Sequence, residues 1–215
     1  MVPIVRRSKV TGWPRYRYTL PDELYEECMN EAAQRALDNQ ARGSKNENAQ
    51  RTGTDPDVAE TMGALTEMVA ALHLGQWPGF RLGRPDDGKD LAYEGHRYNV
   101  KSVQWRFLDA PILYGGSWLS KCERYLLTVV DIPHGVVELV GWATHETLYD
   151  RYPDQRGKPY GRDPESRWIH ERQLDGPIPP PHEWGRLLTA GWTPRRERSL
   201  HGWTVVWYPP LPARI

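Results

Sequence analysis

The chain has 215 residues, of which 39% are hydrophobic and 26% charged, and its 28 Lys and Arg balance 28 Asp and Glu. A net charge of zero argues against a protein that coats nucleic acid through bulk charge alone, but it permits a local nucleic-acid-binding site. We expect neither a membrane-spanning helix nor a secretory signal. No run of about 18 apolar residues exists, and no apolar segment follows the basic N-terminus.

Several common functional classes lack their motifs in this sequence. Cys28 and Cys122 have no partner motif, which argues against a disulfide scaffold or a Cys-based zinc site and favours a cytoplasmic protein. No GxxxxGK[ST] sequence is present, which excludes a P-loop ATPase, and no His-x3-His pair supports a zincin-like metal site.

Residues 1–20 combine basic and aromatic side chains and contain no acidic residue. This mixture is typical of segments that bind phosphates through charge and stack on bases, and we interpret it as a basic arm. An ordinary segment with solvated charges explains the pattern at least as well. A helix is predicted next, from Pro21 to about Arg42, because Pro and acidic residues favour the first turn. Residues 43–54 are polar and predict an exposed, functional loop.

A second helix is predicted to end at Leu74-Gly75. Its start has two interpretations: either Thr54 and Asp57 form a capping box, or Asp55 caps a helix whose first residue is Pro56. One face carries an apolar stripe that we expect to face the core, formed by Val58, Met62, Leu65, Val69 and Leu72.

Glu67 lies on the opposite side of this helix, beside small residues, and Glu60 has nearly the same azimuth. A carboxylate in such surroundings can face a second packed layer. The alternative is an ordinary solvent face on which Ala residues favour the helix. The local pattern alone favours the solvent face.

Strand patterns follow the second helix. Residues 90–93 and 96–103 flank Glu94-Gly95, which predicts a hairpin with a two-residue loop. The apolar run 125–131 predicts a buried central strand, and 136–142 the next one. Thr144 is expected to cap a short helix over 145–149. Further along we predict a strand at 167–170, a helix at 182–190, a strand at 204–208 and core anchors at Trp168, Trp184, Trp192, Trp203 and Trp207.

The predicted hairpin places chemistry-bearing side chains together. If Tyr93 and His96 flank the turn, Asp90 lies opposite Asn99, and Lys101 points to the same face as Asn99. A carboxylate, an amide and an ammonium on one strand face are hard to explain by packing, because covered faces are normally apolar.

These groups suit metal-assisted hydrolysis of a phosphodiester. Oxygen donors from Asp90, Asn99 and the Val100 carbonyl suit Mg²⁺ or Mn²⁺, and Glu67 from the preceding helix could complete the site. Lys101 could position or deprotonate a water molecule and stabilise the negative charge that develops on phosphorus.

The order helical Glu67, strand Asp90, then Asn99-Val100-Lys101 on the next strand resembles the PD-(D/E)XK nuclease superfamily, in particular its small phage and mobile-element members. The resemblance spans residues 54–150. It implies a restriction-endonuclease-like α/β (α+β) fold built from a helix, a three-stranded meander, a helix and a further strand, with a central mixed β-sheet flanked by helices. It also implies Glu67, Asp90 and Lys101 as catalytic residues, and Gln104 as a polar residue at the DNA.

One departure bears on the metal site, because Asn99 stands where the family usually has an acid. The resemblance therefore leaves two hypotheses: a Mg²⁺-dependent deoxyribonuclease, or a nuclease fold with a degraded site that serves as a nucleic-acid-binding or assembly module.

The chain is expected to form one domain with three parts. Residues 1–53 form an N-terminal helical extension that carries the basic arm and polar loop, 54–150 form the nuclease core, and 151–215 form a Pro- and Trp-rich elaboration packed on that core. We expect DNA as the partner, with phosphate contacts from Lys45, Asn46 and Arg51. A homodimer would favour paired cuts across a duplex, although no interface stripe is evident.

Overall fold

The structure is a computed structural model that describes residues 3–41, 55–76, 90–109, 111–115, 122–156, 166–179, 181, 193–199 and 202–208. The helices and strands in these ranges are β1 (Ile4–Arg7), β2 (Pro14–Thr19), α1 (Asp22–Ala41), α2 (Pro56–His73), β3 (Leu91–Tyr93), β4 (His96–Gln104), β5 (Ile112–Gly115), β6 (Arg124–Asp131), β7 (Val136–Thr144), α3 (His145–Tyr149), β8 (Arg167–His170), β9 (Thr193–Ser199) and β10 (Gly202–Tyr208).

A mixed sheet of six strands lies at the centre, in the order β1-β2-β7-β6-β4-β3. Strands β4 and β6 run parallel, and the other neighbours are antiparallel. Helices α1 and α2 contribute to the core on one face, while α3 and the β5-β8 pair contribute to a second core on the other. The prediction of a mixed central sheet flanked by helices is therefore confirmed.

The strand order departs from the three-stranded meander that the resemblance implies. Strands β3 and β4 form the expected hairpin, but the next strand in the sheet, β6, pairs with β4 in parallel. The chain reaches β6 only after β5, which belongs to a separate two-stranded sheet. A parallel neighbour requires such a crossover, because a tight turn can join only antiparallel strands.

The N-terminal segment is not a free arm. It folds into the β1-β2 hairpin and joins the central sheet through β2 and β7. Strand β2 alternates Arg and Tyr, so Tyr16 and Tyr18 enter the core while Arg15 and Arg17 face the other side of the sheet. Tyr16 and Tyr18 therefore pack in the core and are not available to stack on nucleic-acid bases.

Arg15 and Arg17 belong to a buried ionic network. Arg15 binds both oxygens of Glu171, and its Nη1 lies 3.2 Å from Glu138 Oε1. Arg17 Nε donates to Glu138 Oε2 at 2.9 Å, and its guanidinium stacks 4.5 Å from the Trp105 ring centroid. The network joins β2, β7 and the turn after β8, so these two charges hold the fold together and are not available to phosphates.

Helix α2 forms as its capping pattern predicts. Asp55 is the N-cap, its side chain accepts a hydrogen bond from the backbone N of Asp57, and Pro56 is the first helical residue. Of the predicted apolar stripe, Met62, Leu65, Val69 and Leu72 are buried, and Val58 packs against them. Gly75 adopts a φ of 72°, the left-handed conformation that ends many helices.

The β3-β4 hairpin also has the predicted loop. Tyr93 pairs with His96 and Leu91 with Tyr98, and the turn residues Glu94 and Gly95 both have positive φ, at 49° and 80°. Two successive residues of positive φ are the signature of a type I′ turn, which matches the twist of a hairpin.

The C-terminal third packs on the core where the structure describes it. Gly176 forms a bridge with Trp142 of β7, and Asp175 accepts hydrogen bonds from Thr144 and Thr147 around the predicted N-cap of α3. His73 at the end of α2 is buried and bonds the Pro179 carbonyl through Nε2 at 2.7 Å. These contacts anchor residues 166–179 on both faces of the sheet.

Other predictions for this region have mixed outcomes. Strands β8 and β10 confirm the predictions at 167–170 and 204–208, whereas β9 was not predicted. The helix predicted over 182–190 and the anchors Trp184 and Trp192 lie outside the described residues. Within the part of the chain that the structure describes, no helix combines the length and the apolarity needed to cross a bilayer.

Candidate metal and catalytic site

Glu67 projects from α2 toward α1 and not toward solvent. It is 8% exposed, and Arg35 of α1 places Nη1 at 3.3 Å from Glu67 Oε1 and 3.1 Å from Oε2. Gly63 lies one turn earlier on α2, and a Cβ there would be in ordinary van der Waals contact with Glu67 Oε1, at 3.5 Å. The interpretation of this helix side as a solvent face is wrong, because α1 covers it.

Arg35 joins both carboxylates of this helix side. Its Nε lies 3.3 Å from Glu60 Oε2, while its Nη1 holds Glu67. All three side chains are mostly buried. Burial lowers the pKa of Arg35, but the charges of Glu67, Glu60 and Asp90 outweigh that effect and shift it upward. Arg35 therefore remains a cation between two acids.

Asp90 lies directly before β3, at the end of the hairpin ladder. Its backbone N donates to the Tyr98 carbonyl at 2.9 Å, and its Oδ2 accepts a hydrogen bond from the backbone N of Val100 at 2.5 Å. The ladder pairs Leu91 with Tyr98, so Asp90 stands just beyond the regular register. Its carboxylate is thus fixed against the segment of β4 that contains Asn99, Val100 and Lys101.

The charges of Asp90 and Lys101 both affect the pKa of Glu67. Burial raises the pKa of Glu67 to about 8, and the negative charge of Asp90 adds to that rise. The positive charges of Arg35 and Lys101 act in the opposite direction. Glu67, Asp90 and Lys101 come from three different elements, and the charges of Asp90 and Lys101 shift the pKa of Glu67 in opposite directions.

Strand β4 divides its residues between the two faces of the sheet. Val100 belongs to the core beneath α1 and α2, whereas Val103 packs into the core on the other face. Asn99 and Lys101 share the alternation of Val103 and leave the strand on that second face. Asn99 is 6% exposed and Lys101 is half-buried. The side chains of Asn99 and Lys101 therefore lie on the sheet face opposite α2, the helix that carries Glu67.

No family model, curated protein or solved structure matches the chain.

Of the four predicted nucleic-acid contacts, the structure describes one. Lys45, Asn46 and Arg51 lie outside the described residues. Gln104 is the last residue of β4, three residues beyond Lys101 and half-buried. Strand β4 thus carries both Lys101 and Gln104.

The donor set fits a hard divalent cation that keeps part of its hydration. Mg²⁺ is commonly held by one or two carboxylates with waters completing its coordination. Glu67 and Asp90 supply two carboxylates, and the Val100 carbonyl supplies a neutral oxygen, whereas the predicted ligand Asn99 directs its side chain to the other face of the sheet. Among the described residues no group of three or more His, Cys, Asp or Glu is placed to hold a metal. Carboxylates and a backbone carbonyl are donors of the kind that a partly hydrated Mg²⁺ or Mn²⁺ takes.

Arg35 is the residue that sequence reasoning missed. Nothing in its neighbourhood marks it, because α1 contains many charged residues at similar spacing. Its partners lie 25 and 32 residues away on another helix, so only tertiary packing shows its contact with Glu60 and Glu67. One feature of the sequence indicates such a residue. Glu60 and Glu67 lie on the same side of α2, and two acids on a buried helix side need a basic partner.

Proposed function

We propose that the protein is a Mg²⁺- or Mn²⁺-dependent nuclease that hydrolyses phosphodiester bonds of DNA. One observation carries the proposal: the backbone N of Val100 donates to Asp90 Oδ2 at 2.5 Å, which fixes the acid before β3 against the strand segment that carries Lys101. An acid from a helix, an acid at a hairpin end and a lysine on the next strand are the residue types that this chemistry needs. The resemblance to the PD-(D/E)XK nucleases gives the same three residues their roles.

Glu67 and Asp90 would hold the cation, with the Val100 carbonyl as a neutral donor. The Asn99 side chain leaves β4 on the face opposite α2 and is not part of this donor set. The hydrogen bond from the Val100 backbone N to Asp90 Oδ2 fixes the orientation of the Asp90 carboxylate. When bound, the cation would bind a phosphate oxygen and lower the pKa of a coordinated water.

Lys101 would act on the phosphate and on the attacking water. An ammonium beside the reacting phosphorus stabilises the negative charge that grows on its oxygens in the transition state. It can also orient the water for attack along the line of the breaking bond. The strand holds its backbone in place, since the Lys101 carbonyl accepts a hydrogen bond from Thr128 Oγ1 at 3.1 Å.

The second candidate is a nuclease fold that binds nucleic acid or assembles with a partner without cleaving. Two observations favour it: Asn99 replaces the usual acid, and Arg35 already neutralises Glu67. Both reduce the negative charge available to a cation. The two candidates differ in whether DNA is cut when a divalent metal is supplied.

Cleavage assays with purified protein separate these functions. The substrates are supercoiled plasmid, linear duplex, single-stranded DNA and RNA, each with Mg²⁺, Mn²⁺ or EDTA. We expect nicked or linear plasmid in either metal and none in EDTA, which would identify an endonuclease. Asp90→Asn, prepared in parallel, should be inactive.

Glu123→Gln is the matched control, because Glu123 is an acid with 44% side-chain exposure that pairs with His96 and Arg97 away from Glu67. It should cleave as the wild type does. Equal cleavage by Asp90→Asn, or no cleavage of any nucleic acid, would contradict the nuclease proposal. Binding of DNA without cleavage would support the second candidate.

A further inference from the structure

The guanidinium of Arg35 and a divalent cation would need the same oxygens. Its Nη1 contacts both oxygens of Glu67, at 3.3 and 3.1 Å, while Nε contacts Glu60. A metal ion approaches a carboxylate oxygen to about 2.0–2.1 Å, which leaves no room for a hydrogen-bonded guanidinium on the same lone pair. A cation that takes the lone pairs now facing Arg35 must therefore displace its guanidinium from them.

We propose that Arg35 sets the cation affinity of this site by competing for Glu67, and that on release it binds the phosphate of the substrate. This inference rests on the proposed nuclease function. Glu60 keeps the released guanidinium close to the site, because the contact between Arg35 Nε and Glu60 remains when the contact to Glu67 is lost. The displaced guanidinium thus stays beside the cation, where it can donate two hydrogen bonds to a phosphate.

The balance of charge explains why the exchange should couple metal to substrate. Glu60, Glu67 and Asp90 carry three negative charges when ionised, and Arg35 and Lys101 carry two positive ones. A divalent cation alone leaves the group with excess positive charge, and a phosphodiester, with one negative charge, restores neutrality. Cation and DNA should therefore strengthen each other's binding, and this coupling is reciprocal.

Calorimetric titration with Mn²⁺ alone tests the competition. Arg35→Gln removes the charge and keeps a polar side chain, and we expect it to bind Mn²⁺ roughly tenfold more tightly than wild type, or better. Arg35→Lys keeps the charge but cannot contact both acids, so its gain in Mn²⁺ affinity should be smaller. Because it keeps the charge, this variant should fold even if Arg35→Gln does not. Arg151→Gln, which removes an arginine paired with Asp175 outside the site, should bind like wild type.

The titration distinguishes two failures. Equal or weaker Mn²⁺ binding by the Arg35 variants, when wild type binds, would overturn the competition and leave the nuclease proposal standing. No Mn²⁺ binding by any of these proteins would overturn both. Thermal unfolding of each variant shows that the titrated protein is folded.

Fluorescence anisotropy of a labelled DNA duplex tests the phosphate contact. The proteins carry Lys101→Met so that the duplex is not cut, and binding is measured with and without Mn²⁺. We expect Mn²⁺ to tighten DNA binding in Lys101→Met and to do so much less in the Arg35→Gln/Lys101→Met double variant. Equal tightening in both would show that Arg35 does not receive the phosphate.

Discussion

Replacing Lys101 with Met should lower the rate of DNA cleavage by at least about a hundredfold, the usual contribution of one positioned acid-base or charge-stabilising group. Met keeps most of the side-chain length and loses only the ammonium. The backbone contact of Lys101 with Thr128 uses the carbonyl and should survive the substitution. The loss should therefore appear in turnover and not in stability.

Initial rates on plasmid in saturating Mn²⁺ measure this effect, together with urea unfolding of the same preparations. Lys9→Met is the matched control, because Lys9 is an exposed lysine in the turn between β1 and β2. It should cleave at the wild-type rate. Wild-type cleavage by Lys101→Met would remove the lysine from the mechanism and leave only a metal-binding role for the carboxylates.

Replacing Arg15 with Met should have the largest effect on stability, a loss of about 3–5 kcal/mol in the free energy of unfolding. Arg15 binds Glu171 and Glu138, which are 3% and 1% exposed. Without the guanidinium, Glu171 keeps an uncompensated charge in the interior, whereas Glu138 still has Arg17. The unpaired carboxylate, more than the lost attraction, destabilises the variant.

Urea unfolding of Arg15→Met, Arg7→Met and Arg15→Met/Glu171→Gln tests this explanation. Arg7 is exposed on β1, and its removal should change stability by less than about 0.5 kcal/mol. The double variant should recover part of the loss, because Gln removes the buried charge. A loss in Arg15→Met no greater than in Arg7→Met would show that the network is not needed for the fold.

The elements predicted correctly from sequence are those whose signals are local. Asp55-Pro56 and Gly75 delimit α2, and Glu94-Gly95 defines the hairpin, because each uses backbone chemistry within a few residues. Thr144 caps α3 for the same reason. The buried strands β6 and β7 were evident as apolar runs flanking a turn.

The features that sequence could not give depend on distant partners. The Arg-Tyr alternation of β2 is typical of a nucleic-acid-binding arm when only the neighbouring sequence is considered. The acids that neutralise Arg15 are Glu138 and Glu171, and both lie more than a hundred residues away along the chain. Strand β5 was missed because it pairs with β8 across a long separation. The side of α2 that carries Glu67 remained ambiguous until α1 was seen to cover it.

Anomalous scattering from crystals of the wild-type protein soaked in Mn²⁺ tests the central claim most directly. We expect one strong peak between the carboxylates of Glu67 and Asp90, with the Arg35 guanidinium withdrawn from at least one oxygen of Glu67. Mn²⁺ bound only elsewhere, or a fully soaked crystal in which Arg35 still holds both oxygens of Glu67 and no peak lies beside Asp90, would contradict the metal site and the nuclease function derived from it.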